Sequence, residues 1–117
     1  MNLIALIESL EAELLEYFMP EEEREEQKAL AKKHNLSKKH LDTLKYLFMG
    51  KHTHSSSKAV NVKELMRVCD QKCLDDLVGL GMIKGVPNRR NRSVIDSYYA
   101  TLPGFLMGHA YQRGYLK

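Results

Sequence analysis

Around Gly79 and Gly81 the apolar residues of this chain change period, and that change limits the folds open to it. Upstream they recur every three or four residues, as on one face of a helix. Ser37 can cap a helix carrying Leu41, Leu44, Tyr46, Leu47 and Phe48, with Gly50 as its C′ residue. Asn61 can cap a short helix carrying Val62, Leu65, Met66 and Val68, and Asp70 another carrying Leu74, Leu77, Val78 and Leu80. Ala59 and Val60 could form a very short strand before them. Downstream, Met82–Val86 and Ser93–Thr101 hold strand-forming residues, including Val94, Ile95, Tyr98 and Tyr99. The polar run Pro87-Asn88-Arg89-Arg90-Asn91-Arg92 between them predicts a hairpin turn. Pro103-Gly104 is expected to break the chain before a closing helix over Phe105–Tyr115. The expected class is mainly α (α+β).

With 117 residues the chain suits one hydrophobic core, preceded by a helical extension. The extension is assigned to residues 1–35 and the core domain to 36–117. Leu3, Ile7, Leu10, Leu14 and Tyr17 follow helical spacing, with Phe18 beside them, and this wide stripe suggests a dimerisation element. Pro20 ends that helix or opens the next. Glu21, Glu22 and Glu23 then suit a first turn, Lys28, Lys32 and Lys33 its far end, and Asn35 a stop. Residues 1–26 hold nine Glu and one Arg, a net of −8, so the overall +3 leaves +11 for residues 27–117. No apolar run approaches the ~18 residues of a membrane span, and the N-terminus lacks the basic start and cleavage site of a secretory signal. Two cysteines cannot form a disulfide framework, so a reducing cytoplasm is expected.

The order helix, short strand, helix, helix, strand, turn, strand, helix resembles the winged helix-turn-helix, with a two-stranded wing. Two strings strengthen the likeness. Leu74-Asp75-Asp76-Leu77-Val78-Gly79-Leu80-Gly81-Met82-Ile83 resembles the end of a recognition helix entering the first wing strand. Tyr98-Tyr99-Ala100-Thr101-Leu102-Pro103-Gly104 resembles the second wing strand and the turn after it in small prokaryotic or viral regulators. The likeness spans about residues 37–110 and implies a regulator of transcription or replication that binds double-stranded DNA as a homodimer. On the wing, Lys84, Arg89, Arg90 and Arg92, with Ser93, can reach phosphates or a narrow minor groove. On the recognition helix only Gln71 and Lys72 belong to the common base-reading types. Asp70, Asp75 and Asp76 leave residues 70–80 at a net of −2, which DNA phosphates repel.

Other clusters have plainer readings. Lys32, Lys33, Lys38 and Lys39, with His34 and His40, could form a second phosphate contact, but read better as a solvated stretch paired with glutamates. Cys69 and Cys73, with His52 and His54 nearby, include zinc-ligand types, yet the CxxC spacing is absent and small buried residues are the better reading. No nucleophile elbow, phosphate loop or paired carboxylates point to catalysis, and no cofactor is implied. The rival to DNA binding is a protein-docking module, for a polymerase or nuclease, favoured by the acidic helix and the acidic N-terminus.

Overall fold

The computed structural model describes residues 19–116, a mixed α+β arrangement of five α-helices and one antiparallel three-stranded sheet. In chain order these are α1 (Glu21–Lys33), α2 (Lys38–Met49), β1 (Val60–Asn61), α3 (Val62–Leu65), α4 (Gln71–Gly79), β2 (Ile83–Pro87), β3 (Ile95–Ala100) and α5 (Leu102–Gln112). A single 3-10 turn, Ser56–Lys58, precedes β1. The dimerisation stripe Leu3, Ile7, Leu10, Leu14 and Phe18 lies outside the described residues.

The helix ends follow local chemistry. Pro20 sits just before α1, with Glu21, Glu22 and Glu23 in its first turn and Lys32 and Lys33 in its last, each charge complementing the nearer dipole end. Asn35 stops α1 in the left-handed region at φ 52°, and the next amide, Leu36, donates back to the Ala31 carbonyl at 3.0 Å. Ser37 caps α2 in a reciprocal box: its hydroxyl accepts from the His40 amide, and His40 Nδ1 accepts from the Ser37 amide. Asn61 and Asp70 cap α3 and α4 through the amides of Lys63 and Cys73.

At the end of α2 the expectation is corrected. Gly50 has φ −85°, and the left-handed C′ residue is Lys51 at φ 59°. Gly50 meets a different demand, because a Cβ there would lie 2.6 Å from the His52 ring.

β3 is the central strand, with β1 on one side and β2 on the other, so the sheet has one strand more than the hairpin alone. Val60 pairs with Tyr98 and Ile83 with Ala100. Below the sheet, Leu44, Leu47, Leu65, Leu74, Leu77, Met107 and Ala100 are fully buried in one cluster. Tyr98 closes the cluster from β3.

The expectation that Pro103-Gly104 breaks the chain is overturned, since both lie in the first turn of α5. Proline is compatible with a first turn because the amide it lacks has no intrahelical partner there. Gly104 is demanded by packing: a Cβ there would fall on the Met82 carbonyl. One turn on, a Cβ on Gly108 would lie 2.5 Å from the Leu44 carbonyl oxygen, so α5 rests on the backbone of α2. Tyr111 adds a hydrogen bond to Asp42 at 3.0 Å across the same pair. α1 covers the outer side of α5: Met19 and Gln27 are buried, and the Arg24 guanidinium lies 4.0 Å from the Tyr115 ring centroid.

Gly108→Ala therefore gains helix propensity but forces α2 and α5 apart. A net loss of up to about 2 kcal/mol is expected from an overpacking cost of ~1–3 kcal/mol against a ~1 kcal/mol gain. Gly79→Ala in α4 is the control, with nothing within 4 Å of its Cβ position, and should be neutral or stabilising. Thermal melts of the two variants check this, and equal melting of Gly108→Ala and the parent protein would refute the packing argument.

Candidate nucleic-acid interface

The hairpin tip is built by two asparagines. Asn88 Oδ1 accepts from the amides of Arg90 (2.7 Å) and Asn91 (3.2 Å), and its amide nitrogen donates to Asp96 Oδ2 at 2.8 Å. The Asn88 amide also donates to the Val94 carbonyl at 2.8 Å, closing the turn. Asn91 Oδ1 accepts from the Ser93 amide at 3.2 Å and the Ser93 hydroxyl at 2.6 Å. Ser93, read from sequence as a DNA contact, thus has its proton committed to shaping the tip. Arg89, Arg90 and Arg92 are all exposed on it, and Lys84 is exposed on β2 opposite Tyr99.

Gln71 and Lys72 stand apart from these arginines. Gln71 opens α4 with its amide nitrogen donating to Asp75 Oδ1 (2.9 Å) and the Tyr98 hydroxyl (3.3 Å), leaving only its carbonyl for a base edge. Lys72 points the other way, lining a cavity of ≈ 650 Å³ between the starts of α2 and α4 with Ser37, Lys38 and Asp76. In that cavity Lys39 pairs with Asp70 at 3.0 Å and His40 Nε2 lies 3.0 Å from Asp76. Positive and negative groups alternate, so this surface has no single sign of charge to offer a phosphate. Lys39 is tied to a carboxylate from α4, whereas the sequence suggested the N-terminal glutamates as partners.

The two faces of the hairpin differ. On the α4 side, Asp75, Val78, Gly85, Ile95 and Tyr98 line a groove of ≈ 360 Å³, largely apolar with an acidic edge. Val78 and Ile95 are 43% and 37% exposed, which is high for such side chains on a small protein. On the opposite face a cleft of ≈ 720 Å³ lies between the hairpin and the Ser56–Lys58 turn. Its walls carry Ser56, Ser57, Asn88, Arg89, Arg90 and Ser97, and no residue of α4 reaches it. By sequence alone residues 51–58, Lys-His-Thr-His-Ser-Ser-Ser-Lys, read as a polar loop. The run of three serines beside a short strand was the available signal, and the pairing of Val60 with Tyr98 is what brings that loop to the hairpin.

The cysteines are packed away from solvent. Cys69 donates to the Leu65 carbonyl at 3.2 Å, and Cys73 Sγ lies 3.6 Å from the Thr43 hydroxyl. Burial raises both thiols, Cys73 to about 11, so neither is a ready thiolate at neutral pH. His52 bonds the Lys58 carbonyl through Nδ1, and the His54 ring lies 5.3 Å from that of Phe105. Among the described residues no three His, Cys, Asp or Glu side chains gather as a metal site. No described helix is long and apolar enough to cross a membrane.

No family model, curated protein or solved structure matches the chain.

Asp70 links cap and charge. The Cys73 amide, and then Lys39, hold its carboxyl below the ordinary carboxylate value. A depressed folded value means that this stabilisation is complete above the unfolded value of about 3.9 and disappears as pH falls through the folded value. Asp70→Ala should therefore melt below the parent protein at pH 7, with the gap closing toward pH 3. Melting temperatures across that range check it, and a gap that stays constant would contradict the linkage.

Proposed function

We propose that this chain is a winged helix-turn-helix protein that binds double-stranded DNA through its hairpin, as a cytoplasmic regulator of transcription or replication. The observation that carries the reading is the tip itself, where Arg89, Arg90 and Arg92 are exposed on a turn held by Asn88 and Asn91. A preformed turn limits the ordering cost of binding, and guanidinium forks suit phosphate oxygens in paired geometry. The sheet order β1-β3-β2 with helices packed below supports the winged-helix reading. The acidic outer face of α4 supports backbone and groove-shape contact over base reading by that helix. Regulation would then follow from occupancy of a site, with two copies joined through residues 1–18 to engage two half-sites.

Fluorescence anisotropy of a labelled duplex across a salt series tests the first part. Arg89→Ala/Arg90→Ala/Arg92→Ala should weaken binding and reduce the slope of log K against log salt by about 2 to 3. An unchanged slope would rule out the wing as the phosphate contact. Sedimentation tests the second part: the full chain should be a dimer and a chain starting at Met19 a monomer, and two monomers would refute the role of the N-terminal stripe.

A second reading rests on the groove between α4 and the hairpin, where Val78 and Ile95 stand exposed beside Asp75. An apolar floor with an acidic edge suits a basic amphipathic protein segment, as in a docking module for a polymerase or nuclease. The absence of duplex binding even at low salt would favour that reading over the first.

A further inference from the structure

The nucleic-acid reading leaves the serine-rich turn before β1 without a task, and the geometry points to one. We infer that Ser56 and Ser57, together with Arg89 and Arg90, form a clamp for one phosphodiester of the DNA backbone, on the face of the hairpin turned away from α4. This rests on the proposed DNA binding and assigns it a surface.

The strand geometry makes the cleft. Val86 pairs with Ser97 and Pro87 with Ile95, so Asp96 is an extra residue on β3. Such a bulge re-aims side chains and bends the strand. Asp96 and Ser97 both line the cleft, whereas Ile95 and Tyr98, on either side of them, line the groove under α4. The hairpin thus turns Gly85, Ile95 and Tyr98 toward α4, and its Arg89 and Arg90 guanidiniums, Ser97 hydroxyl and Asp96 carboxylate toward the serine turn.

One donor in the cleft, the Ser57 hydroxyl, is positioned by its neighbour. Ser55 Oγ accepts from the Ser57 amide at 3.2 Å and lies 2.8 Å from the Ser57 hydroxyl, which fixes that hydroxyl in place. Either hydroxyl can donate in that contact, and when Ser55 is the donor Ser57 keeps its own proton for an anion. Ser56 and Ser57 are exposed, as are Arg89 and Arg90 on the opposite wall. The carboxylate in the cleft, Asp96, is held by the Asn88 amide at 2.8 Å and the Ser97 hydroxyl at 3.4 Å. Two guanidiniums against one hydrogen-bonded carboxylate leave a net positive cleft. Its volume of ≈ 720 Å³ and its open side admit a backbone segment as well as a free ion. Hydroxyl and guanidinium donors together are the chemistry of phosphate positioning without base reading. The predicted path of the DNA therefore runs along the β3 side of the hairpin, and α4 is left outside the contact.

Duplex anisotropy with the full-length protein and four variants tests this. Ser56→Ala/Ser57→Ala should weaken binding about 3- to 10-fold with an unchanged salt slope, because neutral donors release no counterions. Arg89→Ala/Arg90→Ala should weaken it further and lower the slope by about 1, because the two arginines neutralise one phosphate. The combined variant should lose less than the sum of the two, since they share one phosphate. Gln71→Ala/Lys72→Ala should stay within about twofold of the parent protein. Thermal melts of each variant separate lost binding from lost folding. Full affinity in the serine variant with loss in the arginine variant, or loss in the Gln71/Lys72 variant, would overturn the clamp while leaving DNA binding intact. A parent protein with no salt-dependent duplex binding would overturn both. Inorganic phosphate at constant ionic strength should compete only weakly. If it displaces duplex at low millimolar concentration, the cleft is a free-anion site and the clamp is refuted.

Discussion

The contact on which the remaining structure depends is the approach of α5 to the backbone of α2. Two small residues one turn apart, Gly104 and Gly108, let α5 sit against the Met82 and Leu44 carbonyls. A side chain at Gly108 would push α5 off α2, and one at Gly104 would push it off the Met82 backbone before β2. With the helices this close, Phe48 packs edge-on against Phe105 at 5.0 Å and Met107 enters the core fully. The end of β3 is fixed by the same contact, because the Thr101 amide donates to the Met82 carbonyl at 3.0 Å immediately before α5 begins. The position of the hairpin, and so of its arginines, follows from where α5 starts.

Charge is distributed according to that frame. The glutamates of α1 lie on a helix that covers the outer side of α5, away from the hairpin. The aspartates of α4 are partly consumed by neighbours: Asp70 by its cap and Lys39, Asp76 by His40, Asp75 by Gln71. Among the described residues, the exposed arginines of the tip make no hydrogen bond or ion pair with a carboxylate, and the carboxylate near them, Asp96, is held by Asn88. Surface ion pairs of the first kind contribute little to stability, but they set which charges remain available to a polyanion.

Much of this was legible in the chain. The caps Ser37, Asn61 and Asp70, the stop at Asn35 and the hairpin turn are local events, decided by side chains within three or four residues of the amides they bind. The same local rules misjudged Pro103-Gly104, because a proline-glycine pair reads as a break whenever its surroundings are unknown. They also misjudged Gly50, whose role comes from the His52 ring and not from a left-handed turn. Of the site, the arginines were visible as a charge cluster. The serines facing them were not, since 30 or more residues separate the two in sequence and only the β1–β3 pairing joins them.

What the sequence by itself determined is therefore the order of the described elements and the capped ends at Asn35, Ser37, Asn61 and Asp70: helical stripes, strand-forming residues and caps act over one or two turns of chain. It also determined the separation of a net −8 head from a net +11 body, because charge counts need no fold. The tertiary structure alone decided which faces those charges occupy. It tied Gln71 to the Tyr98 hydroxyl, split the hairpin into an apolar side and a basic side through one extra residue at Asp96, and set the serine turn across from the arginines. Each of these depends on register and on close backbone approach, which are settled only when distant segments share one core.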